Sequence, residues 1–169
     1  MPTQTLNRRT FLIATGAAAT STAVAAQTCI GTSEGTQHTV LMLNASCGDG
    51  GDGGVPNVFS PAILHVQPGD TVQFLATDTG HNTASRRGMI PDGAEAWNGG
   101  VDEELTVEFT VPGVYGYVCA PHYDVGMVGL IVVGDDLSNL DQAKSVRHSG
   151  EARTAFRVLF AELEETDAT

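Results

Sequence analysis

Two Pro-Gly pairs divide the middle of the chain into short segments with the pattern of strands. Apolar and polar residues alternate on both sides of Pro68-Gly69 in the segment VFSPAILHVQPGDTVQFLA. The segment TVEFTVPGVYGYVC repeats this arrangement around Pro112-Gly113. Two further segments have the pattern of strands, HTVLMLN before this region and GLIVVG after it. Short strands joined by Gly and Pro turns predict an all-β sandwich.

The pattern changes beyond Gly134. Ser138 followed by Asp141 has the spacing of a capping box, which predicts a helix over residues 139–147. A second helix is predicted because apolar residues recur at helical spacing: Ala152, Phe156, Leu159, Phe160 and Leu163. The apolar face of this second helix either contacts a partner or packs on the sandwich, and we favour packing. The chain thus divides into a sandwich over residues 36–134 and a helical extension over residues 135–169.

The charge balance excludes several classes of partner. The chain has 20 acidic and 8 basic residues, a formal net charge of −12. Such a chain is repelled by nucleic acid and by anionic lipid. A basic partner or a very saline medium suits it better. Its 169 residues suffice for one domain with a modest extension, not for several domains.

The N-terminal residues 1–26 have the pattern of a cleavable export signal. Arg8 and Arg9 precede an apolar, Ala-rich run that ends in small residues. The arginine pair followed by Phe11 and Leu12 resembles the twin-arginine signal for export of folded proteins. A membrane anchor is the alternative, but the run is short and rich in Thr. Cleavage would leave a net charge of 6 − 20 = −14 and no membrane span.

Three cysteines remain after this cleavage, so at least one is unpaired in an exported protein. Cys29 and Cys47 either form a disulfide, which leaves Cys119 free, or stay unpaired. Lipid attachment at Cys29 is a weaker alternative, because AAQTC lacks the usual apolar run. The segment CGDGGDGG that begins at Cys47 faintly resembles a calcium-binding repeat, but a single copy favours a flexible loop.

Cys119, His122 and Met127 place three soft donor groups in one short loop between two predicted strands. Copper that cycles between Cu(I) and Cu(II) needs a donor set suited to both states. One thiolate, two imidazoles and a weak thioether form such a set. The loop supplies three of these four donors. The second imidazole must come from one of the remaining histidines, which are His38, His65, His81 and His148.

His81 is the best candidate for the second imidazole. It follows a strand, and Gly80 beside it lets the loop approach the end of the sandwich closely. His65 lies within an alternating strand and has the pattern of a surface residue. A different interpretation of the loop is that Cys119 is a buried structural thiol and His122 an ordinary loop residue.

The order of these residues resembles the cupredoxins, and within them the pseudoazurins. A lone upstream histidine followed by Cys-x-x-His-x-x-x-x-Met is matched by His81, Cys119, His122 and Met127. The resemblance covers roughly residues 36–165. It extends to the segments GHN, GMIPDGAEAW, VPGVYGYVCAPHY, GMVGLIVVG and the two-helix tail.

The resemblance implies an eight-stranded Greek-key sandwich that binds one type 1 copper ion and acts as a soluble one-electron shuttle, not as an enzyme. It implies that His81 and His122 bind as neutral imidazoles, Cys119 as the thiolate and Met127 as the axial ligand. His122 would be the port for the electron. The backbone N–H of Asn82 is expected to donate to the Cys119 sulfur.

Pro121 lies between the Cys and His ligands and has no N–H to offer the sulfur, so the thiolate is expected to have few donors. The family's partner, a copper nitrite reductase with an acidic docking surface, is disfavoured here. The only lysine is Lys144, in the tail, and Asp124 lies within the ligand loop. We therefore expect redox partners, both donor and acceptor, to dock on an apolar patch near His122, with Pro121, Met89 and Val125 as candidate members.

Two other functions compete with the electron carrier. A copper enzyme needs a second copper site with further histidines, and the three that remain are scattered. Copper storage or delivery is the main alternative. Proteins of that kind favour open sites rich in Met or His, whereas this donor set is mixed and closed. An export signal would place the carrier in the periplasm or at the outer face of the cytoplasmic membrane.

Overall fold

The computed structural model describes residues 35–45 and 56–167. The chain divides into two units, Met1–Gly31 and Thr32–Thr169, and all described residues belong to the second. The predicted export signal lies outside the described residues, as do the Gly/Asp segment and both Cys29 and Cys47.

Eight strands form two four-stranded sheets. One sheet has the order β2-β1-β4-β6 and the other β3-β8-β7-β5. The strands are β1 (Gln37–Ala45), β2 (Pro56–Ser60), β3 (Ile63–Val66), β4 (Asp70–Leu75), β5 (Ala84–Ser85), β6 (Leu105–Phe109), β7 (Gly113–Val118) and β8 (Val128–Val133). The predicted Greek-key sandwich is therefore confirmed.

The Pro-Gly turns connect the two sheets, because the strands on either side of each turn belong to different sheets. Gly69 has φ +96°, a left-handed conformation that favours glycine. The sequence predicted two strands over residues 58–76, but the structure has three, since the chain leaves the first sheet after Ser60. β1 pairs in parallel with β4, and β3 in parallel with β8. These pairings join segments that are distant in sequence.

An aromatic core fills the space between the sheets. The Tyr117 ring lies 4.7 Å from Phe59 and 5.3 Å from Phe74, between ring centroids. Trp97 contacts Phe109 edge-on at 5.5 Å. Such pairs add to the free energy gained by burying their large apolar surfaces. The core closes the sandwich beneath the loops that carry the candidate ligands.

The two C-terminal helices cover the outer face of β7 and β8, which explains why both strands are buried at every position. The helices are α1 (Leu140–Ser145) and α2 (Ala152–Asp167). The apolar residues predicted for the second helix lie in the buried cluster, so the packing interpretation is confirmed: Ala152, Phe156, Leu159, Phe160 and Leu163. No helix in the described residues is long and apolar enough to cross a membrane.

The predicted capping box is wrong. The residue at the N-cap of α1 is Asn139, which makes no side-chain capping hydrogen bond. Its amide instead accepts from the Val114 N–H at 2.8 Å and donates to the Val114 C=O at 2.8 Å. Asn139 therefore joins the helix to β7, and this long-range contact decides where the helix begins.

Candidate metal centre

The loop between β7 and β8 carries three of the predicted ligands. Cys119 follows β7 directly, and Met127 directly precedes β8. The Cys119 N–H donates to the Met127 C=O at 3.0 Å, so the two ends of the loop are tied together. Within the loop the His122 N–H donates to the Cys119 C=O at 3.2 Å, and the Met127 N–H donates to the His122 C=O at 3.1 Å. These bonds close the loop into a compact turn over the end of the sandwich.

His81 reaches the same end of the sandwich from the loop after β4, and it is fully buried. Its Nε2 lies 3.0 Å from Asn44 Oδ1. Because an amide oxygen only accepts, Nε2 carries the hydrogen, and Nδ1 has a free lone pair. Burial lowers the pKa of His81, and the neighbouring His122 lowers it further. A neutral ring with a free Nδ1 is the form that binds a metal.

The side chains of Cys119, His81 and His122 converge on one point. Sγ of Cys119 lies 3.8 Å from Nδ1 of His81 and 3.5 Å from Nδ1 of His122. All three donor atoms lie within 4.8 Å of one another. A first-row metal with bonds of about 2.0 Å to nitrogen and about 2.3 Å to sulfur holds such donors about 3.5–3.7 Å apart in tetrahedral or trigonal geometry. The donor set therefore fits a copper ion.

Met127 is fully buried at the end of the same loop. The other histidines that the sequence offered lie elsewhere. His38 is hydrogen-bonded to Asp70 at 2.9 Å, and His65 lies 3.5 Å from Asp135. The last of the chain's five histidines, His148, is hydrogen-bonded to the Tyr123 hydroxyl. In the part of the chain that the structure describes, only His81 joins the Cys119–His122 pair.

The Cys119 thiol is buried and unpaired among the described residues. Burial raises its pKa, while the backbone N–H groups of Asn82 and His122 hydrogen-bond to it and act in the opposite direction. The Asn82 donor was predicted from the sequence, but the His122 donor was not. A turn between Cys119 and His122 brings that N–H back to the cysteine, and no sequence signal beyond the short spacing indicates it.

The Asn82 side chain links three loops at the site. Its Oδ1 accepts from the Ala120 N–H at 2.7 Å, and its Nδ2 donates to the Gly99 C=O at 3.0 Å. Asn82 thus joins the loop of His81 to the loop of Cys119. Neither this role nor that of Asn44 is predictable from the sequence, because both depend on contacts between distant segments.

Tyr123, the residue after His122, connects the ligand loop to the helical extension. Its hydroxyl lies 2.8 Å from Nδ1 of His148. The guanidinium of Arg86 lies 5.0 Å from the centre of the Tyr123 ring, within cation–π distance. The pKa of His148 is lowered by burial and then by Arg86, which favours the neutral ring, and this ring is hydrogen-bonded to the hydroxyl.

Asp124 makes two further contacts to the segment between the helices. Its C=O accepts from the Glu151 N–H at 2.9 Å, and its carboxylate accepts from the Ser149 hydroxyl at 2.8 Å. A Cβ at Gly150 would lie 2.5 Å from the Asp124 carbonyl oxygen, so only glycine permits this approach. The ligand loop is therefore fastened to the helical extension on its outer side.

The surface beside His122 differs from the expected patch in one member. Pro121 and Val125 are exposed, Val125 by 53%. Met89 is fully buried, so the prediction that it belongs to a docking patch is wrong. Its side chain packs against Gly116 of β7, where an added Cβ would lie 2.4 Å from the methionine methyl group. The Met89 side chain is therefore part of the protein core and contributes no surface to a docking patch.

Comparison with known proteins agrees with the geometry. Residues 45–134 match the family of copper binding proteins described as the plastocyanin/azurin family. The chain is 46% identical over 125 residues to a pseudoazurin of Methylorubrum extorquens, covering 74% of this chain and 80% of that protein. It is 40% identical over 116 residues to a pseudoazurin of Paracoccus pantotrophus, covering 69% of this chain and 76% of that one.

A solved structure shows the same similarity. The pseudoazurin structure from Sinorhizobium meliloti aligns with a TM-score of 0.71 and 44% identity, over 76% of this chain and 97% of that chain. The family confirms copper as the cofactor, and the donor set forms a single type 1 site. The chain therefore belongs to the plastocyanin/azurin family of copper-binding proteins and, within that family, to the pseudoazurins.

Proposed function

We propose that this protein is an exported one-electron carrier and not an enzyme. The observation that carries the proposal is the convergence of the Cys119 thiol and two imidazole Nδ1 atoms within 4.8 Å. Copper bound by such donors exchanges one electron, because a thiolate and two imidazoles suit both of its oxidation states. In the described residues this is the one cluster of this kind, which supports a carrier with a single centre.

Each residue of the site has a proposed role. His81 and His122 bind copper through Nδ1, Cys119 binds as the thiolate, and Met127 is the axial ligand. The hydrogen bond from His81 Nε2 to Asn44 fixes the ring orientation before the metal binds. A site held by its own hydrogen bonds needs little rearrangement between the two oxidation states.

The outer groups set the charge on the sulfur. The N–H groups of Asn82 and His122 donate to Cys119 and stabilise negative charge on the thiolate. Pro121 has no N–H, so it adds no donor at its own position. Fewer donors leave more electron density on the sulfur for the copper, which favours Cu(II) and holds the potential down.

Electrons enter and leave through His122 in this proposal. His81 is fully buried, whereas His122 is partly exposed beside the exposed Pro121 and Val125. The donor and acceptor are redox proteins that dock on this surface. A partner of the nitrite reductase type with an acidic docking surface is disfavoured, because Asp124 is exposed in the same loop.

We further propose that residues 1–26 are removed on export and that the protein works in the periplasm or at the outer face of the cytoplasmic membrane. Residues 36–134 then form the copper domain, and residues 135–169 the helical extension. Replacing Arg8 and Arg9 by lysine should abolish export, and the mature protein should begin near residue 27 by mass spectrometry. Unchanged export of the lysine variant would contradict the twin-arginine assignment.

A visible spectrum of the copper-loaded protein tests the proposed function. An intense thiolate-to-copper band should appear and bleach on reduction. Cys119→Ser should abolish the band, and His81→Ala should weaken copper retention. His65→Ala is the matched control, since this exposed histidine lies away from the site. A band that persists in Cys119→Ser would refute the assignment.

Metal exchange separates a carrier from a copper storage or delivery protein. A carrier keeps its copper through repeated oxidation and reduction in the presence of a competing chelator. Loss of copper within a few cycles, with the intense band intact at the start, would instead indicate delivery.

A further inference from the structure

A cleft separates the end of α1 from α2 on the outer side of the helical extension. Its volume is about 610 Å³, within the range of small-molecule sites. We call it the basic cleft after the charged and titratable residues on its walls, which are Lys144, Arg147, His148, Arg153 and Arg157. The apolar side chains of Phe156 and Phe160 also line it.

The basic cleft gathers most of the positive charge of an acidic protein. The chain has 8 basic residues, and Arg8 and Arg9 belong to the predicted signal, which leaves 8 − 2 = 6. Four of these line the cleft, whereas Glu164 is the one acidic residue on its walls among residues 35–45 and 56–167. The chain has 20 acidic residues, so if acidic and basic residues were evenly mixed over the surface, four basic residues would not lie together beside a single acidic one.

Within the part of the chain that the structure describes, the three arginines of the cleft make no ion pair. Lys144 pairs with Glu164 at 2.6 Å. Arg147, Arg153 and Arg157 form no ion pair with any acidic residue in the described ranges. Arg153 and Arg157 are one helical turn apart, so they repel each other in the absence of an anion. An external anion between them would remove that repulsion.

The ring of His148 forms part of the wall of the cleft. Its Nδ1 is hydrogen-bonded to the Tyr123 hydroxyl at 2.8 Å. Nε2 is buried and has no hydrogen-bond partner among the described residues. The ring lies 4.4 Å from Phe156, between centroids, and is held in place by this contact and by Tyr123. The fixed ring gives the cleft a rigid wall beside the arginines.

We propose that the basic cleft binds a multivalent oxyanion, a phosphate- or carboxylate-bearing small molecule, through Arg147, Arg153 and Arg157. Guanidinium groups suit this ligand because their paired N–H donors match the oxygens of phosphate and carboxylate. A concave cleft favours a small anion over a broad protein surface. The proposed anion site contains none of the proposed copper ligands.

Calorimetric titration of the copper-loaded protein with inorganic pyrophosphate and, separately, with citrate tests the proposal at constant ionic strength. We expect saturable binding of one anion per chain by at least one of the two probes. Arg153→Gln and Arg157→Gln should each weaken binding about tenfold or more, as expected for lost charge-assisted hydrogen bonds. Arg87→Gln is the matched control, because it removes the same charge from an exposed position outside the cleft.

Nuclear magnetic resonance of the diamagnetic Cu(I) form locates the bound anion. The ring resonances of His148 and the side-chain N–H resonances of the three arginines should shift on titration, while those of Arg87 should not. Binding that fails to saturate with both probes would overturn the proposal. An equal loss of affinity in Arg87→Gln would overturn it too, because it would show attraction by overall charge. The unchanged visible band in each variant confirms that the copper centre is intact.

Discussion

Replacing Tyr123 by phenylalanine removes one hydroxyl group and keeps the ring beneath Arg86. The hydroxyl lies 2.8 Å from Nδ1 of His148, which joins the ligand loop to the helical extension. A neutral hydrogen bond contributes about 0.5–1.5 kcal/mol, and a buried group left without a partner costs about 1–3 kcal/mol. His148 is only partly buried, so we expect a loss of about 1–2 kcal/mol in the free energy of unfolding.

Urea unfolding of the copper-loaded and copper-free proteins measures this loss. A double-mutant cycle with His148→Leu isolates the pair, and the coupling energy should be about 1 kcal/mol. In the single variant, copper should also dissociate faster in the presence of a chelator, because the loop that carries His122 is released on one side.

Tyr115→Phe is the matched control for the second effect. The Tyr115 hydroxyl donates to the Val111 C=O at 2.7 Å, away from the ligand loop. Its loss should lower stability by a similar amount and leave copper dissociation unchanged. A coupling energy below about 0.3 kcal/mol, within the error of additivity, would refute the link between Tyr123 and His148. Equal copper loss in both tyrosine variants would refute the local mechanism.

Three other replacements test separate parts of the structure. Asn44→Ala should lower copper affinity about 10–100-fold in a chelator competition, because the ring of His81 loses its orienting partner; unchanged affinity would contradict this role. Pro121→Ala should raise the midpoint potential by tens of millivolts in voltammetry, because a new N–H near the Cys119 sulfur favours Cu(I). For a one-electron couple, ~59 mV corresponds to a tenfold change in the equilibrium constant. A fall in the potential would contradict this account. The pKa of Asp70 is lowered by the Gln67 N–H and then by His38, so its contribution to stability is present above its unfolded pKa of about 3.9 and is lost as the pH falls through its folded pKa. Asp70→Asn should therefore be less stable than the wild type at pH 7, with the difference shrinking below about pH 4 in urea titrations; a constant difference would show that ionisation is not the cause.

The local part of the site was predictable from the sequence. Cys119, His122 and Met127 lie within nine residues, so the short loop alone brings them near one another, whatever the rest of the fold. The strands were predictable for a similar reason, because alternation and Pro-Gly turns act over a few residues. Of the two strands predicted over residues 58–76, the first was wrong, because the chain changes sheet after Ser60 and forms two strands there. That change depends on which strands pair, and pairing is not a local property.

Tertiary structure decided everything that joins distant segments. Asn44 meets His81 across 37 residues, and Asn82 meets Ala120 across 38. Tyr123 meets His148 across 25 residues. Each contact needs either a particular register between strands or a particular position of a helix on the sheet. In a strand, a shift of the register by one residue would turn the side chain to the opposite face of the sheet. The sequence by itself therefore determined the kinds of donor and their local spacing. The sequence also favoured His81 as the second imidazole, but packing between the sheets is what brings its nitrogen to within 3.8 Å of the Cys119 sulfur.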